Sequence, residues 1–190
     1  AAVVVVHMAA VHTDGSNNPL GISSHSDKIS FFPYFFIKDT LGLVGFILFF
    51  SFWVYYMPNA LGHPDNYIPA NPMSTPEHIV PEWYFLFAYA ILRSIPNKLA
   101  GVLALFASLL VLLTLPIINT SGVRSSLYRP LYQKFFWFLV ADFILLSYIG
   151  QAPPESPFIE IGQVATVYYF AFFLVFVPVL GRLEKALIYA

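Results

Sequence analysis

Residues Leu99–Ile118, LAGVLALFASLLVLLTLPII, carry no charge from end to end. A helix needs roughly 20 apolar residues to cross about 30 Å of hydrocarbon, and this stretch supplies that length. Working outward, Thr40 to Met57 is also uncharged and ends at Pro58. Phe135 to Gly150 is apolar except for Asp142, and Ile161 to Leu180 is apolar with an expected stop at Gly181-Arg182. Residues 1–12 read as the last turns of a fifth helix. Spans here must be helical, because an open strand edge in lipid leaves backbone groups without partners. The alternating pattern of a membrane barrel is absent. The expected fold is all-α and polytopic: the end of one helix, four spanning helices and a surface amphipathic helix in a long loop. Residues 1–190 form one membrane domain on this reading.

Composition agrees. Hydrophobic residues make up 58% of the chain and charged residues 10%, against about 25% charged in soluble domains. A net charge of −1 gives no reason to expect nucleic acid as a partner. The chain has no cysteine, which excludes disulfides, iron–sulfur ligation and thiolate zinc sites. The apolar opening Ala1 to Val6 has no basic stretch before it and reads as the interior of a helix, not a signal peptide.

Lysine and arginine set the sidedness. Residues 13–39, 119–134 and 181–190 would share one side and hold Lys28, Lys38, Arg124, Arg129, Lys134, Arg182 and Lys185. Residues 58–98 and 151–160 would share the other, with Arg93 and Lys98 alone. No internal repeat is visible, which gives an inverted-repeat transporter little support. Aromatic residues mass near the end of one span, at Phe49, Phe50, Phe52, Trp53, Tyr55 and Tyr56, as at a lipid interface.

The loop 58–98 is long for a tightly built protein, and such loops are usually functional or disordered. Its Ile, Tyr, Trp and Phe content argues against disorder. Prolines 58, 64, 69, 72 and 76 forbid a long helix in its first half. From Pro81 to Ile95 the sequence is helix-compatible, with Pro81 suited to the first helical position and Glu82 to the first turn. Trp83 to Leu92 is almost wholly apolar, so it must be buried in protein or dipped into the membrane surface. Glu82 is then either a helix-terminus acid at the headgroups or a proton-exchanging carboxylate at the edge of an apolar pocket. Tyr89 follows about two helical turns later and can face the same pocket.

Of five histidines, His25, His63 and His78 fall in loops. His7 lies among Val, Met and Ala. It either bonds a neighbouring helix or serves as a haem axial ligand, for which a neutral imidazole on an apolar helix is suited. His12 is about 140° further round the helix and needs a different role. It reaches the basic side, where Lys38 and Asp39 open the next span. These three could deliver protons to a bound quinone, or be a snorkelling lysine and a helix-capping aspartate. Asp142, inside a span, reads as hydrogen-bonded to a neighbouring span or as part of a proton relay.

Taken together these residues carry a pattern. Pro81-Glu82-Trp83-Tyr84-Phe85-Leu86, followed by Tyr89-Ala90-Ile91-Leu92-Arg93-Ser94-Ile95-Pro96, resembles the quinol-oxidation loop of the cytochrome b family. That family provides the membrane redox subunit of ubiquinol–cytochrome c oxidoreductase, respiratory complex III. His7, His12, Gly15-Ser16-Asn17-Asn18-Pro19, Asp27-Lys28 and Ile37-Lys38-Asp39 resemble its quinone-reduction side. Gly62-His63-Pro64-Asp65-Asn66-Tyr67, Arg129-Pro130 and Ala141-Asp142 match as well, so the resemblance covers essentially the whole chain and is nearest the mitochondrial form.

The resemblance implies much that residue patterns alone do not. Two b haems would cross the membrane in the intact subunit, with His7 the axial ligand of the high-potential haem. His12, Ser16, Phe31, Lys38 and Asp39 would surround the quinone being reduced on the matrix side. Ile79, Pro81, Glu82, Phe85 and Tyr89 would build the oxidation pocket on the intermembrane side, where the Rieske iron–sulfur subunit docks. Ubiquinone and ubiquinol would be the substrates, and electron transfer would be coupled to proton translocation. Expected partners are the N-terminal half of cytochrome b, the Rieske subunit, cytochrome c1, other subunits of a dimeric complex, and lipid. The expected location is the mitochondrial inner membrane. The family's protein is about twice this length, so the chain is expected to be its C-terminal half, inactive alone. Two alternatives differ in kind. The small subunit of the photosynthetic plastoquinol enzyme begins after the haem-binding helix and ends one span earlier. A transporter would line its pathway with His7 and Asp142 and show no b-type haem absorption.

Overall fold

The computed structural model describes residues 1–76 and 79–189. Among them every regular element is a helix or helical turn. The order is α1 (Ala2–Asp14), α2 (Phe36–Tyr56), α3 (Leu86–Ser94), α4 (Lys98–Leu110), α5 (Leu115–Ile118), α6 (Pro130–Gln151), α7 (Phe158–Ala171) and α8 (Val177–Tyr189). They form four apolar rods long enough to cross a membrane: Phe31–Tyr56, Lys98–Ile118, Pro130–Gln151 and Phe158–Leu187. The chain is therefore a multi-pass membrane protein, as its hydropathy predicts.

Two rods change helical pitch for a local reason. Pro116 and Pro178 each lack the N–H that an α-helix needs four residues back. Before Pro116 the chain tightens into a 3₁₀ turn at Val111–Thr114; before Pro178 it widens into a π turn at Phe172–Phe176. Boundaries also move from those expected. α2 begins at Phe36, before the uncharged stretch from Thr40, and Lys38 and Asp39 open it within its first turn. The last helix does not stop at Gly181-Arg182 but runs through to Tyr189. Gly181 serves a different purpose: a Cβ there would sit 2.5 Å from Thr120 Oγ1 and 2.8 Å from Ser121 N. Its bare backbone lets the loop before α6 lie against the helix, and Thr120 Oγ1 donates to the Pro178 carbonyl at 2.8 Å.

The core gathers around α3, not around a spanning helix. Ala88, Ile91 and Leu146 are fully buried, with Phe87, Val111, Ile149, Ala165, Tyr169, Phe172 and Phe173 around them. Of the two settings open to the apolar stretch Trp83–Leu92, burial in protein holds for its helical part: α3 packs on α4, α6 and α7. Hydrophobic burial drives little helix association in lipid, so close backbone approach has to supply the contact. Glycine makes it possible here. A Cβ on Gly101 would be 2.6 Å from the Leu92 carbonyl oxygen, and one on Gly150 would run into the Leu86 carbonyl. Tyr169 Oη donates to the Ser108 carbonyl at 2.8 Å and Tyr168 Oη to the Phe135 carbonyl at 2.9 Å, joining α7 to α4 and α6.

The ends sort as the charge count requires. On the basic side Ser125 Oγ donates to the Pro19 carbonyl, and the Arg129 guanidinium pairs with Glu184 at 2.5 Å while lying over the Tyr132 ring. On the other side Arg93 reaches the end of α6. α1 and α2 stand apart: neither buries a residue.

Candidate functional site

Pro64 opens a 3₁₀ turn, Pro64–Tyr67, whose first free N–H is met by the preceding side chain: Asp65 N donates to His63 Nδ1 at 3.3 Å. The turn carries Asn66 toward Glu82. Asn66 Nδ2 donates to Glu82 Oε1 at 3.4 Å. The expectation that Pro81 and Glu82 begin a helix is corrected here. Glu82 is extended (φ −60°, ψ 155°), and a 3₁₀ turn, Trp83–Phe85, precedes α3. The carboxylate makes no capping bond and is free to face the loop.

It faces a cleft of about 610 Å³ lined by the turn residues His63, Asp65 and Asn66, by Ile79, Pro81, Glu82 and Trp83, by Leu86 of α3 and by Gln151 at the end of α6. A second recess of about 350 Å³ shares Trp83, Leu86 and Gln151 and extends along Tyr84, Phe143, Ser147 and Tyr148. A largely apolar cleft on the less basic side, with the Glu82 and Asp65 carboxylates at its edge, can hold a flat apolar molecule and accept a proton from it.

Tyr89 does not line this cleft. Its hydroxyl donates to the Ile79 carbonyl at 3.2 Å and so fixes the cleft wall from behind. Phe85 is also outside, exposed and packed against the Tyr84 ring at 5.0 Å. Arg93, Asn66 and Gln151 were not singled out for this site from sequence. Asn66 had a signal in the proline-led turn Pro64-Asp65-Asn66. Arg93 had a weaker one, as a cation in an apolar helix. Gln151 had none. His78, assigned to a loop, lies outside the described residues.

On the basic side the structure brings less together. His12, Ser16, Phe31, Lys38 and Asp39 are exposed, and among the described residues no hydrogen bond or ion pair joins them. His7 is exposed on α1 with Val3, Val4, Ala10 and Val11 one turn away on either side. No described residue occupies its ring, and no cluster of three or more metal-ligating side chains occurs among the described residues. A single imidazole on a smooth aliphatic face is chemically suited to hold a flat metal-bearing macrocycle. Asp142 departs from expectation. It is buried at 8% exposure and lines a recess with Phe138, Ile161, Val164 and Tyr168, yet Oδ2 has no hydrogen-bond partner. The bond to a neighbouring span is not formed within the described residues.

Residues 69–170 match the family model described as Cytochrome b(C-terminal)/b6/petD. Cytochrome b of Chondrus crispus is 57% identical over 188 residues, covering 99% of this chain and 49% of that protein. Cytochrome b of Marchantia polymorpha is 61% identical over 188 residues, covering 99% and 46%. A solved structure described as a hyperthermophilic respiratory Complex III is similar with a TM-score of 0.89 and 34% identity, over 97% of this chain and 48% of that one. The chain thus spans about half the length of the curated relatives it matches.

Proposed function

This chain belongs to the cytochrome b family, matching its C-terminal part, and from that premise we propose that it supplies one wall of each of two quinone sites in a ubiquinol–cytochrome c oxidoreductase. The observation that carries the reading is the cleft in which Ile79, Pro81 and Glu82 come together beside an apolar floor. Oxidising a quinol releases two electrons and two protons. The cleft's apolar lining would hold the ring and exclude bulk water. Glu82 would take a proton at a carboxylate oxygen, with Asn66 Nδ2 orienting the group. Tyr89 would keep the Ile79 wall in place. Phe85, at the outer edge, would meet the ring or the docking iron–sulfur subunit.

Haem b binding is a property of this family. His7 would hold one haem, and the haem when bound would supply one-electron transfer across the membrane. At the opposite face His12, Lys38 and Asp39 would deliver protons to a quinone, with Ser16 bonding a carbonyl and Phe31 against the ring. Protons would then leave on one side and enter on the other, giving translocation. We infer further that residues 1–190 act as one membrane domain. The N-terminal half of cytochrome b, the Rieske subunit and cytochrome c1 would complete the dimeric complex in the mitochondrial inner membrane.

The experiment is Glu82→Gln in the assembled complex. Quinol oxidation should slow by at least about tenfold, less than the range for a sole general base because water can share the role. Haem content should be unchanged. Normal turnover in this variant would overturn the assignment.

A further inference from the structure

Arg93 is one of the two cations on the less basic side, and it sits in the most buried helix of the protein. Its guanidinium donates from Nη1 to the Gly150 carbonyl at 3.3 Å and from Nη2 to the Ala152 carbonyl at 2.9 Å. The last carbonyls of a helix have no partner within it, and a planar fork can reach two of them at once where a lysine reaches one. The residue between those two carbonyls is Gln151, which lines the cleft. The same guanidinium lies 5.2 Å from the centre of the Tyr89 ring, whose hydroxyl holds the Ile79 carbonyl. One side chain therefore connects the cleft floor at Gln151 to the wall three residues before Glu82.

The connection comes at a cost. Arg93 is half-buried, its Nε enclosed with no partner, and a charge taken partly out of water is weak support for stability. A hydroxyl could cap α6 without burying a charge. What a hydroxyl could not do is lie beneath the Tyr89 ring while bonding both carbonyls. Arg93 itself does not line the cleft, so it cannot touch a molecule bound there.

We propose that Arg93 is a positioning residue for the Glu82 cleft, setting the distance between its floor and its Ile79–Glu82 wall through Tyr89 and the end of α6. The proposal rests on the cleft being the quinol-oxidation site. In the assembled complex, with a short-tailed ubiquinol as probe, Arg93→Gln raises the quinol KM about tenfold, equivalent to about 1.4 kcal/mol of binding. The kcat stays nearly constant, because Glu82 keeps its own partner. Arg93→Lys keeps the cation beneath Tyr89 but reaches one carbonyl, and gives an intermediate KM. Tyr89→Phe removes the hydroxyl bond to Ile79 and raises KM on its own. The double variant Arg93→Gln/Tyr89→Phe is no worse than Arg93→Gln, since both act through one path.

An unchanged KM in Arg93→Gln, or fully additive effects in the double variant, overturns the proposal. If Arg93→Gln fails to assemble, Arg93→Lys and Tyr89→Phe carry the same test, and normal KM in both overturns it. Slow turnover in Glu82→Gln beside normal kinetics in the Arg93 variants refutes this inference alone. Normal turnover in Glu82→Gln refutes the reading beneath it.

Discussion

At Gly150 an added methyl would meet the Leu86 carbonyl group, its carbon only 2.8 Å away. Backbone cannot swing aside as a long side chain can, so α3 and α6 would have to separate. Gly150→Ala should cost about 1–3 kcal/mol, the range for overpacking a core. Thermal denaturation of the purified complex measures it. Gly122→Ala, where nothing lies within 4 Å, serves as control and should stay within about 0.5 kcal/mol of the parent. At this scale the sequence was partly legible. Glu82 stood out because a lone acid before an apolar stretch is conspicuous. Its companions did not, because the Asn66 contact spans 16 residues and the Arg93 contacts span 57 and 59. Asp142 was legible as unusual, but its lack of a partner depends on what three dimensions bring near it.

Among the elements, α3 shows the limits of hydropathy most clearly. A nearly uniform apolar run does not say whether protein or lipid surrounds it. The answer came from glycines outside the helix, Gly101 in the next helix and Gly150 far along the chain. α3 also needs its end sealed: Gln163 Nε2 donates to the Ser94 carbonyl at 3.1 Å, and Asn97 Oδ1 accepts from Ala100 N to start α4. Gln163→Leu should leave that carbonyl short of a donor and lower stability by about 1–3 kcal/mol. Asn97→Ala should lose a helix cap worth about 1 kcal/mol. Both are read as shifts in the denaturation midpoint of the complex, and an unchanged midpoint for Gln163→Leu would show that another donor replaces it. The spanning helices were legible because lipid imposes a length. Their ends were less so, since the last helix runs on through Arg182, where a glycine and a charge suggested a stop.

Across the whole molecule, four spans sort the loops onto two sides, and the absence of cysteine makes this directly measurable. Single cysteines at exposed Ser24 and Ser126 should react with an impermeant maleimide from one face of sealed vesicles. Cysteines at exposed Ser74 and Ser156 should react from the opposite face. Labelling of Ser24→Cys and Ser74→Cys from the same face would refute the sidedness. The proposal of two sites on opposite faces rests on the lysine and arginine count together with the motifs. The basic-side group could not be assembled, because α1 and α2 bury no residue and, among the described residues, no hydrogen bond or ion pair joins His12, Lys38 and Asp39.

Those two exposed helices bear on how a cell handles the chain. Embedded without a cover, α1 would present His7 laterally to acyl chains, which solvate it poorly. The chain's lifetime would then be set by the arrival of whatever surface covers these helices. Copies made in excess of that surface would be cleared, and abundance would follow the scarcer component.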